Sequence, residues 1–310
     1  MSCRRSWQSL LLVASDHPAA LEESMPLEET EWTRRYGDML RARGCAARTT
    51  ASYLYALTGF ARFVAPRSVA ETTVDDIVAY QMNIVAAGRA AATVRVATYA
   101  LRGFFRDVLQ RKDWDYARLP RQRRPKHLPE VLSVEEVQAI LDHAPTPKYR
   151  AIFMTCYGAG LRTDEVIHLE PRHVDAKRMV LRVERGKGSK DRPVILSERL
   201  LHELRQCWKR YRPKRYLFEG KHPGQPVDTS SVQRAFQIAR KRAGVIKRAT
   251  PYSLRHAFAT HLVETGTNLR VVQTLLGHQS LSTTAVYTHL AQTWLAQVTS
   301  PLDRLPSPAE

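Results

Sequence analysis

A basic, proline-rich segment divides this chain into two parts that fold as separate domains. Residues 119–129 read LPRQRRPKHLP, with three prolines, four cationic side chains and no acidic one. Proline removes a backbone donor and like charges repel each other, so this composition favours an extended linker over a helix or a strand. The predicted segments are an extension at 1–27, a first domain at 28–115, a basic linker at 116–129, a second domain at 130–300 and a tail at 301–310.

The first domain has the pattern of a small helical bundle. Apolar residues recur at helical spacing within Thr50–Val64, from Val74 to Val85, and in Leu101–Leu109 after an alanine-rich stretch. A further helix is expected over Glu29–Arg43. Because each apolar stripe must be buried against a neighbour, an all-helical domain follows.

The second domain has the pattern of a mostly helical domain with one β element. Ser133 and Glu136 form a capping box that starts a helix. The strand-like segments Met179–Glu184 and Arg192–Leu196 are joined by a connection with two glycines, which is typical of a hairpin. Further helices are predicted at 197–211, at 229–243, from Pro251, and after Asn268 and Ser282. The predicted fold class is therefore mainly α with a small β-sheet.

The charge of the chain indicates a polyanionic partner. The formal net charge is +18, and residues 119–310 hold 32 basic against 17 acidic side chains. Nucleic acid is the usual partner of such a field, although a merely basic globular protein would have the same composition. No stretch approaches the roughly 18 apolar residues that span a bilayer, so no membrane partner is expected. The four cysteines form no CxxC pair, which argues against a zinc ribbon or a disulfide scaffold.

Four separated clusters combine side chains that suit a phosphodiester. They are GAGLRTDE at 158–165, the glycine-flanked Lys187, TPYSLRHAFATH at 250–261, and LGH at 276–278 with Tyr287 nine residues later. Guanidinium groups bind phosphate oxygens, an ammonium can protonate a departing alkoxide, and a phenol can be a covalent nucleophile. His256 and His261 are spaced i, i+5 and do not share a helical face, so no metal site is expected.

The set of motifs resembles the tyrosine recombinase (phage integrase) family. GAGLRTDE, RGKGSKDR, LRHAFATHL and LLGHQSLSTTAVYTHL follow the order and spacing of that family over about 130–292. Residues 28–115 resemble its SAM-like core-binding domain in layout. The resemblance implies an α+β catalytic domain that cleaves and rejoins DNA through a covalent 3′-phosphotyrosyl intermediate, with no cofactor and no metal.

The resemblance also implies a role for each matched residue. Arg162 and Arg255 correspond to the two arginines that clamp the phosphate. Lys187 corresponds to the hairpin lysine that protonates the 5′-oxygen, His278 to the residue that buttresses the phosphate, and Tyr287 to the nucleophile.

Two further positions of this family match carry expectations. Glu165 matches the acidic residue that orients an active-site arginine. Tyr252 stands three residues before Arg255, where the family commonly has a histidine. On a helix this spacing places both side chains on one face. A phenol is not a cation at neutral pH, so Tyr252 is expected to act as a neutral hydrogen-bond donor.

Basic side chains of the linker and the second domain are predicted to contact DNA phosphates, which position a protein without reading sequence. They are Arg121, Arg123, Arg124, Lys126, Lys190, Lys209, Arg210, Arg240 and Lys241. Lys190 is also the alternative to Lys187 as the hairpin lysine. The resemblance implies double-stranded DNA with paired recombination sites as the partner, self-association to a tetramer on DNA, and a cytoplasmic, nucleoid-associated location.

Two alternatives stay open from the sequence. One is a catalytically weakened DNA-binding protein on the same scaffold, and the other is a type IB topoisomerase-like enzyme that nicks and closes DNA. The DNA target and the choice among chromosome-dimer resolution, transposition and phage integration are also open. The short span before the first helix favours an Xer-like or transposon-borne type.

Overall fold

The described residues form two compact units, one within residues 1–126 and the other within 127–310. A computed structural model describes residues 27–120, 130–184, 191–278, 280 and 284. The extension, most of the basic linker and the tail lie outside these ranges, so the domain boundaries predicted there stay predictions. No helix in the described ranges has the length and apolar content that a bilayer span needs.

Helices make up the first unit. Within residues 27–120 they are α1 (Leu27–Ala42), α2 (Ala47–Val64), α3 (Val74–Ala86) and α4 (Ala91–Asp107). The predicted helices are confirmed with shifted boundaries, and the largest shift is in α4. The alanine-rich stretch forms the first turns of α4 instead of preceding it, because alanine is the strongest helix former.

Aromatic side chains fill the core of this first unit. Tyr36, Phe60, Phe104 and Phe105 are fully buried, and the Phe60 and Phe105 rings meet edge to face at 5.8 Å. The Tyr36 hydroxyl donates a hydrogen bond to the Ala100 carbonyl at 2.8 Å, which satisfies its polar atom inside the core.

The second unit is helical around one small sheet. Its helices within the described ranges are α5 (Val134–Asp142), α6 (Pro147–Gly158), α7 (Thr163–Ile167), α8 (Glu198–Tyr211), α9 (Thr229–Arg242), α10 (Pro251–Glu264) and α11 (Leu269–Leu276). Its strands are β1 (Val174–Asp175), β2 (Val180–Val183) and β3 (Arg192–Ile195), which pair antiparallel in that order. The register places Leu181 opposite Val194. This architecture confirms the predicted fold class.

Local sequence signals set several of these boundaries as predicted. The Ser133 backbone N–H donates to Glu136 Oε2 at 2.8 Å and the Glu136 N–H donates to Ser133 Oγ at 3.2 Å, which confirms the capping box. Thr250 precedes α10, which begins at Pro251. The predicted hairpin is confirmed with shorter strands, and β1 adds a third strand that the sequence pattern did not indicate. The helix predicted after Ser282 lies outside the described residues.

Two helices of the second unit, α6 and the five-residue α7, were not predicted from the sequence pattern. In α6, the six consecutive residues Ala151–Cys156 are buried, and the helix packs against α10 and α8. A helix that is buried on all sides lacks the polar face that gives an amphipathic period. This buried helix supports the loop at Gly160 and the start of α7, where the predicted site begins.

Candidate active site

The first motif places Arg162 and Glu165 at the start of α7. Arg162 is the N-cap residue, and its backbone N–H donates to Glu165 Oε2 at 2.8 Å. Its guanidinium Nη1 also donates to Glu165 Oε1 at 2.9 Å. The Arg162 side chain is 25% exposed, whereas that of Glu165 is only 6% exposed. Glu165 therefore holds Arg162 from a buried position, and the arginine keeps access to solvent.

A second arginine, Arg192, grips the same carboxylate from the start of β3. Its Nη1 donates to Glu165 Oε1 at 3.0 Å and its Nη2 donates to Oε2 at 2.9 Å, a bidentate pair. Its Nε donates to the Leu275 carbonyl at 3.0 Å. Sequence reasoning did not single out Arg192. The sequence signals were its place at the end of the RGKGSKDR motif and at the base of the predicted hairpin, and neither distinguishes it from a surface charge.

Arg255 lies in the interior of the second unit. Its side chain is 0% exposed, and its Nη1 donates to the Gly160 carbonyl at 2.7 Å while its Nη2 donates to the Leu276 carbonyl at 2.6 Å. Nη1 also lies 3.7 Å from Glu165 Oε2. Gly160 has φ +63°, and a Cβ there would collide with the Phe258 ring. The absence of a side chain at Gly160, in the first motif, thus allows its carbonyl to accept a hydrogen bond from Arg255, in the third motif.

His278 completes the described part of the cluster as a neutral imidazole. Its Nε2 is 3.2 Å from Arg255 Nη2, and its Nδ1 is 2.9 Å from Thr284 Oγ1. A guanidinium only donates, so Nε2 accepts and the ring proton lies on Nδ1. Burial and the nearby Arg255 and Arg162 cations lower the pKa of His278 to about 4. His278 is therefore uncharged at neutral pH and supports Arg255 as an acceptor.

The excess positive charge of this cluster favours the binding of an anion. Burial alone would raise the pKa of Glu165, but hydrogen bonds from Arg192 and from the Arg162 backbone hold that pKa below its ordinary value. Burial and the neighbouring Arg162 lower the pKa of Arg255 to about 10, so it stays charged at neutral pH. Three guanidinium groups then face one carboxylate, which leaves positive charge in excess.

Tyr252 lies one turn before Arg255 on α10, as its spacing predicted. Its side chain is 44% exposed, and its ring meets the His256 ring at 4.5 Å in a T-shaped arrangement. Burial and the adjacent Arg255 lower the pKa of His256, so this histidine is neutral as well. Among the described residues, no group of three or more His, Cys, Asp or Glu side chains is arranged to hold a metal ion.

The remaining predicted site residues fall into two groups. Those outside the described residues are Lys187, Tyr287, Lys190, Arg121, Arg123, Arg124 and Lys126. Of the others, Lys209 and Arg210 are exposed on the last turn of α8, and Lys241 is exposed near the end of α9. Arg240 instead turns inward, and its Nη1 donates to the Val245 carbonyl at 2.9 Å and to the Lys247 carbonyl at 3.0 Å.

Comparison with known proteins places this chain in a family. The profile described as "Phage integrase family" matches residues 130–293, and "Phage integrase, N-terminal SAM-like domain" matches residues 32–115. A putative integrase/recombinase of Sinorhizobium fredii is 41% identical over 284 residues, which cover 90% of this chain and 91% of that protein. The tyrosine recombinase XerA of Pyrococcus furiosus is 29% identical, over 84% of this chain and 90% of that protein.

Solved structures have the same fold. A lambda integrase tetramer bound to a Holliday junction matches with a TM-score of 0.70 and 19% identity, over 92% of this chain and 81% of that chain. The chain belongs to the phage integrase family of tyrosine-type site-specific recombinases. The resemblance inferred from the four motifs is thereby confirmed.

Proposed function

We propose that this protein cleaves and rejoins DNA through a covalent 3′-phosphotyrosyl bond to Tyr287. The observation that carries the proposal is the arginine cluster, in which Arg162 and Arg255 converge on one buried carboxylate and leave positive charge in excess. Such a preorganised cationic site stabilises the charge that develops on a phosphodiester as it is attacked. The membership of the chain in the phage integrase family supports the same chemistry.

In the proposed reaction, each bond that breaks is matched by one that forms. The Tyr287 oxygen bonds to phosphorus as the bond from phosphorus to the 5′-oxygen breaks, and the phenolic proton is released. Lys187 gives a proton to the departing 5′-oxygen, with Lys190 as the alternative donor. A 5′-hydroxyl of a partner strand then attacks the phosphotyrosyl bond and frees Tyr287, so the energy of the phosphodiester is conserved.

Each of the described side chains has its own role in holding the phosphate. Arg162 and Arg255 bind its non-bridging oxygens, and Glu165 orients Arg162 through the 2.9 Å hydrogen bond. His278 accepts from Arg255 in the free protein and buttresses the phosphate when DNA binds. No step in this scheme requires a metal ion or another cofactor.

The proposed substrate is double-stranded DNA that carries paired recombination sites. Lys209, Arg210 and Lys241 are exposed, and we assign them to phosphate contacts together with the basic linker and Lys190. The inward hydrogen bonds of Arg240 leave it less able to join them. The lambda integrase of similar fold is a tetramer on a Holliday junction, which supports tetramer assembly of this chain on DNA.

Covalent trapping tests the proposal. Duplexes with a randomised centre are first enriched by binding to the protein, then nicked in that centre and incubated with it in EDTA. We expect a protein–DNA adduct that survives denaturing detergent and a free 5′-hydroxyl on the released strand. DNA binding without an adduct would contradict the proposal and favour the silent DNA-binding protein. Relaxation of supercoiled plasmid by monomers that never pair two sites would favour the nicking-closing enzyme.

Tyr252 should contribute modestly in the same assay. It is half-exposed beside Arg255 and can donate one neutral hydrogen bond to a phosphate oxygen. Losing such a bond costs about 0.5–1.5 kcal/mol, which is roughly three- to tenfold in rate. We expect Tyr252→Phe to slow single-turnover cleavage by about that factor and Tyr252→His to be tolerated. If Tyr252→Phe cleaves at the wild-type rate, Tyr252 only packs against His256.

A further inference from the structure

We infer that Arg192 is a positioning residue of the cleavage site: it neutralises Glu165 and fixes the end of α11, so that Glu165 does not draw Arg162 and Arg255 away from the phosphodiester. This inference rests on the proposed function and adds a residue that the proposal does not use.

Every nitrogen of the Arg192 guanidinium has a partner within the protein. Nη1 and Nη2 donate to the two oxygens of Glu165 at 3.0 and 2.9 Å, and Nε donates to the Leu275 carbonyl at 3.0 Å. The side chain is only 9% exposed. Since each of its three nitrogens has a protein partner, whereas Arg255 Nε has none among the described residues, Arg192 acts through the groups it holds and not by contact with DNA.

The groups that Arg192 binds are connected to both catalytic arginines of the site. Glu165 holds Arg162, and the Leu275 carbonyl precedes the Leu276 carbonyl that accepts from Arg255 at 2.6 Å. One residue further, Gly277 leads to His278, whose Nε2 also faces Arg255. Arg192 therefore joins the start of α7, the start of β3 and the end of α11 through one planar group.

Compensation of the Glu165 charge explains why the contacts of Arg192 affect the reaction. Glu165 is 6% exposed and lies 2.9 Å from Arg162 and 3.7 Å from Arg255. Without Arg192, these two are the cations among the described residues that would remain to compensate the buried carboxylate. The carboxylate would draw their guanidinium groups toward itself, and these groups would then bind phosphate oxygens less well.

The backbone beside α11 is shaped to admit Arg192. Gly277 ends that helix with φ +63°, and a Cβ there would lie 2.9 Å from Arg192 Nε and 3.0 Å from its Cδ. Because the guanidinium is held by three hydrogen bonds, it cannot move aside without losing some of them. A side chain at position 277 would therefore disturb the same junction from the opposite side.

The first test replaces Arg192 and follows both cleavage and binding on the enriched, nicked duplex. We expect Arg192→Gln to slow single-turnover cleavage about 100-fold, the size of effect that a small misplacement of catalytic groups produces. Arg192→Lys should be impaired as well, since an ammonium cannot make the bidentate pair. DNA affinity should change little, because the residue is buried. Wild-type cleavage rates in both variants would overturn the inference.

A double variant separates charge compensation from mere packing. If Arg192 acts by neutralising Glu165, then Arg192→Gln combined with Glu165→Gln, whose uncharged amide oxygen still accepts from Arg162, should cleave about tenfold faster than Arg192→Gln alone. A purely structural role predicts that the second substitution adds damage instead. A double variant that is slower than Arg192→Gln would therefore overturn the inference.

Two glycine substitutions provide a test that leaves Arg192 in place. Gly277→Ala and Gly266→Ala both put alanine at positive φ, but a Cβ at Gly266, where φ is +80°, has nothing within 4 Å. Both substitutions therefore introduce similar backbone strain, but only Gly277→Ala disturbs Arg192. We expect slow cleavage for Gly277→Ala and near-normal cleavage for Gly266→Ala. Equal rates for the two would contradict the inference.

The failure of this inference is distinguishable from that of the proposed function. If the wild-type protein forms no covalent adduct, both are overturned. If the wild type forms the adduct and Arg192→Gln forms it as fast, only the role of Arg192 is overturned. Thermal unfolding of each variant shows whether it is folded, and where Arg192→Gln is unfolded the outcome is decided by Gly277→Ala against Gly266→Ala.

Discussion

Replacing Tyr287 with phenylalanine is expected to abolish the covalent protein–DNA adduct while DNA binding stays nearly intact. The substitution removes one hydroxyl and leaves the aromatic ring, so shape and charge are almost unchanged. If that hydroxyl is the nucleophile, no other group can form the phosphotyrosyl bond. The measurement is adduct formation on a nicked duplex in denaturing gels, beside the binding constant for the same DNA.

Tyr149→Phe is the matched control for this substitution. Tyr149 belongs to the same unit and lies in the first turn of α6, where its ring stacks on Phe153 at 6.5 Å. The control should form the adduct at the wild-type rate. Persistence of the adduct in Tyr287→Phe would remove Tyr287 as the nucleophile and direct attention to Tyr252, the half-exposed tyrosine beside Arg255.

Sequence patterns predicted the fold wherever structure is encoded locally. The amphipathic stripes of α2 and α3 and the capping box at Ser133 depend on residues a few positions apart, and the structure confirms them. The helix α6 depends on distant partners, whereas the strand β1 has only two residues, which are too few to show an alternating pattern. The first is buried on all sides, and the second is defined only by its pairing with β2.

Only part of the candidate site could be predicted from the sequence, because the rest depends on contacts between residues that are distant along the chain. Motifs separated by many residues pointed to Arg162, Glu165, Arg255 and His278, and the structure brings all four together. Arg192 was not predicted, because nothing in its neighbourhood along the chain shows that its partners lie at Glu165 and Leu275. Burial reverses expectation for Arg255 too, since an arginine on a helix is usually exposed and this one is 0% exposed.

The burial of Arg255 decides which substitution tests it. Alanine would leave the Gly160 and Leu276 carbonyls without their donor and open a cavity, so that a loss of activity could reflect unfolding. Lysine keeps the positive charge and much of the volume. Its single ammonium cannot bridge both carbonyls and also present a fork to a phosphate.

We therefore expect Arg255→Lys to reduce single-turnover cleavage by about 10²–10³-fold, the usual cost of losing one preorganised donor to the transition state. Binding should weaken little, since the charge stays. Arg182→Lys is the control, because its side chain is 56% exposed and pairs with Asp175 at the surface. Thermal unfolding and cleavage at saturating protein are measured for both. A folded Arg255→Lys that cleaves as fast as Arg182→Lys would show that the site needs a buried charge and not a fork, and the clamp proposed for Arg255 would then have to be abandoned.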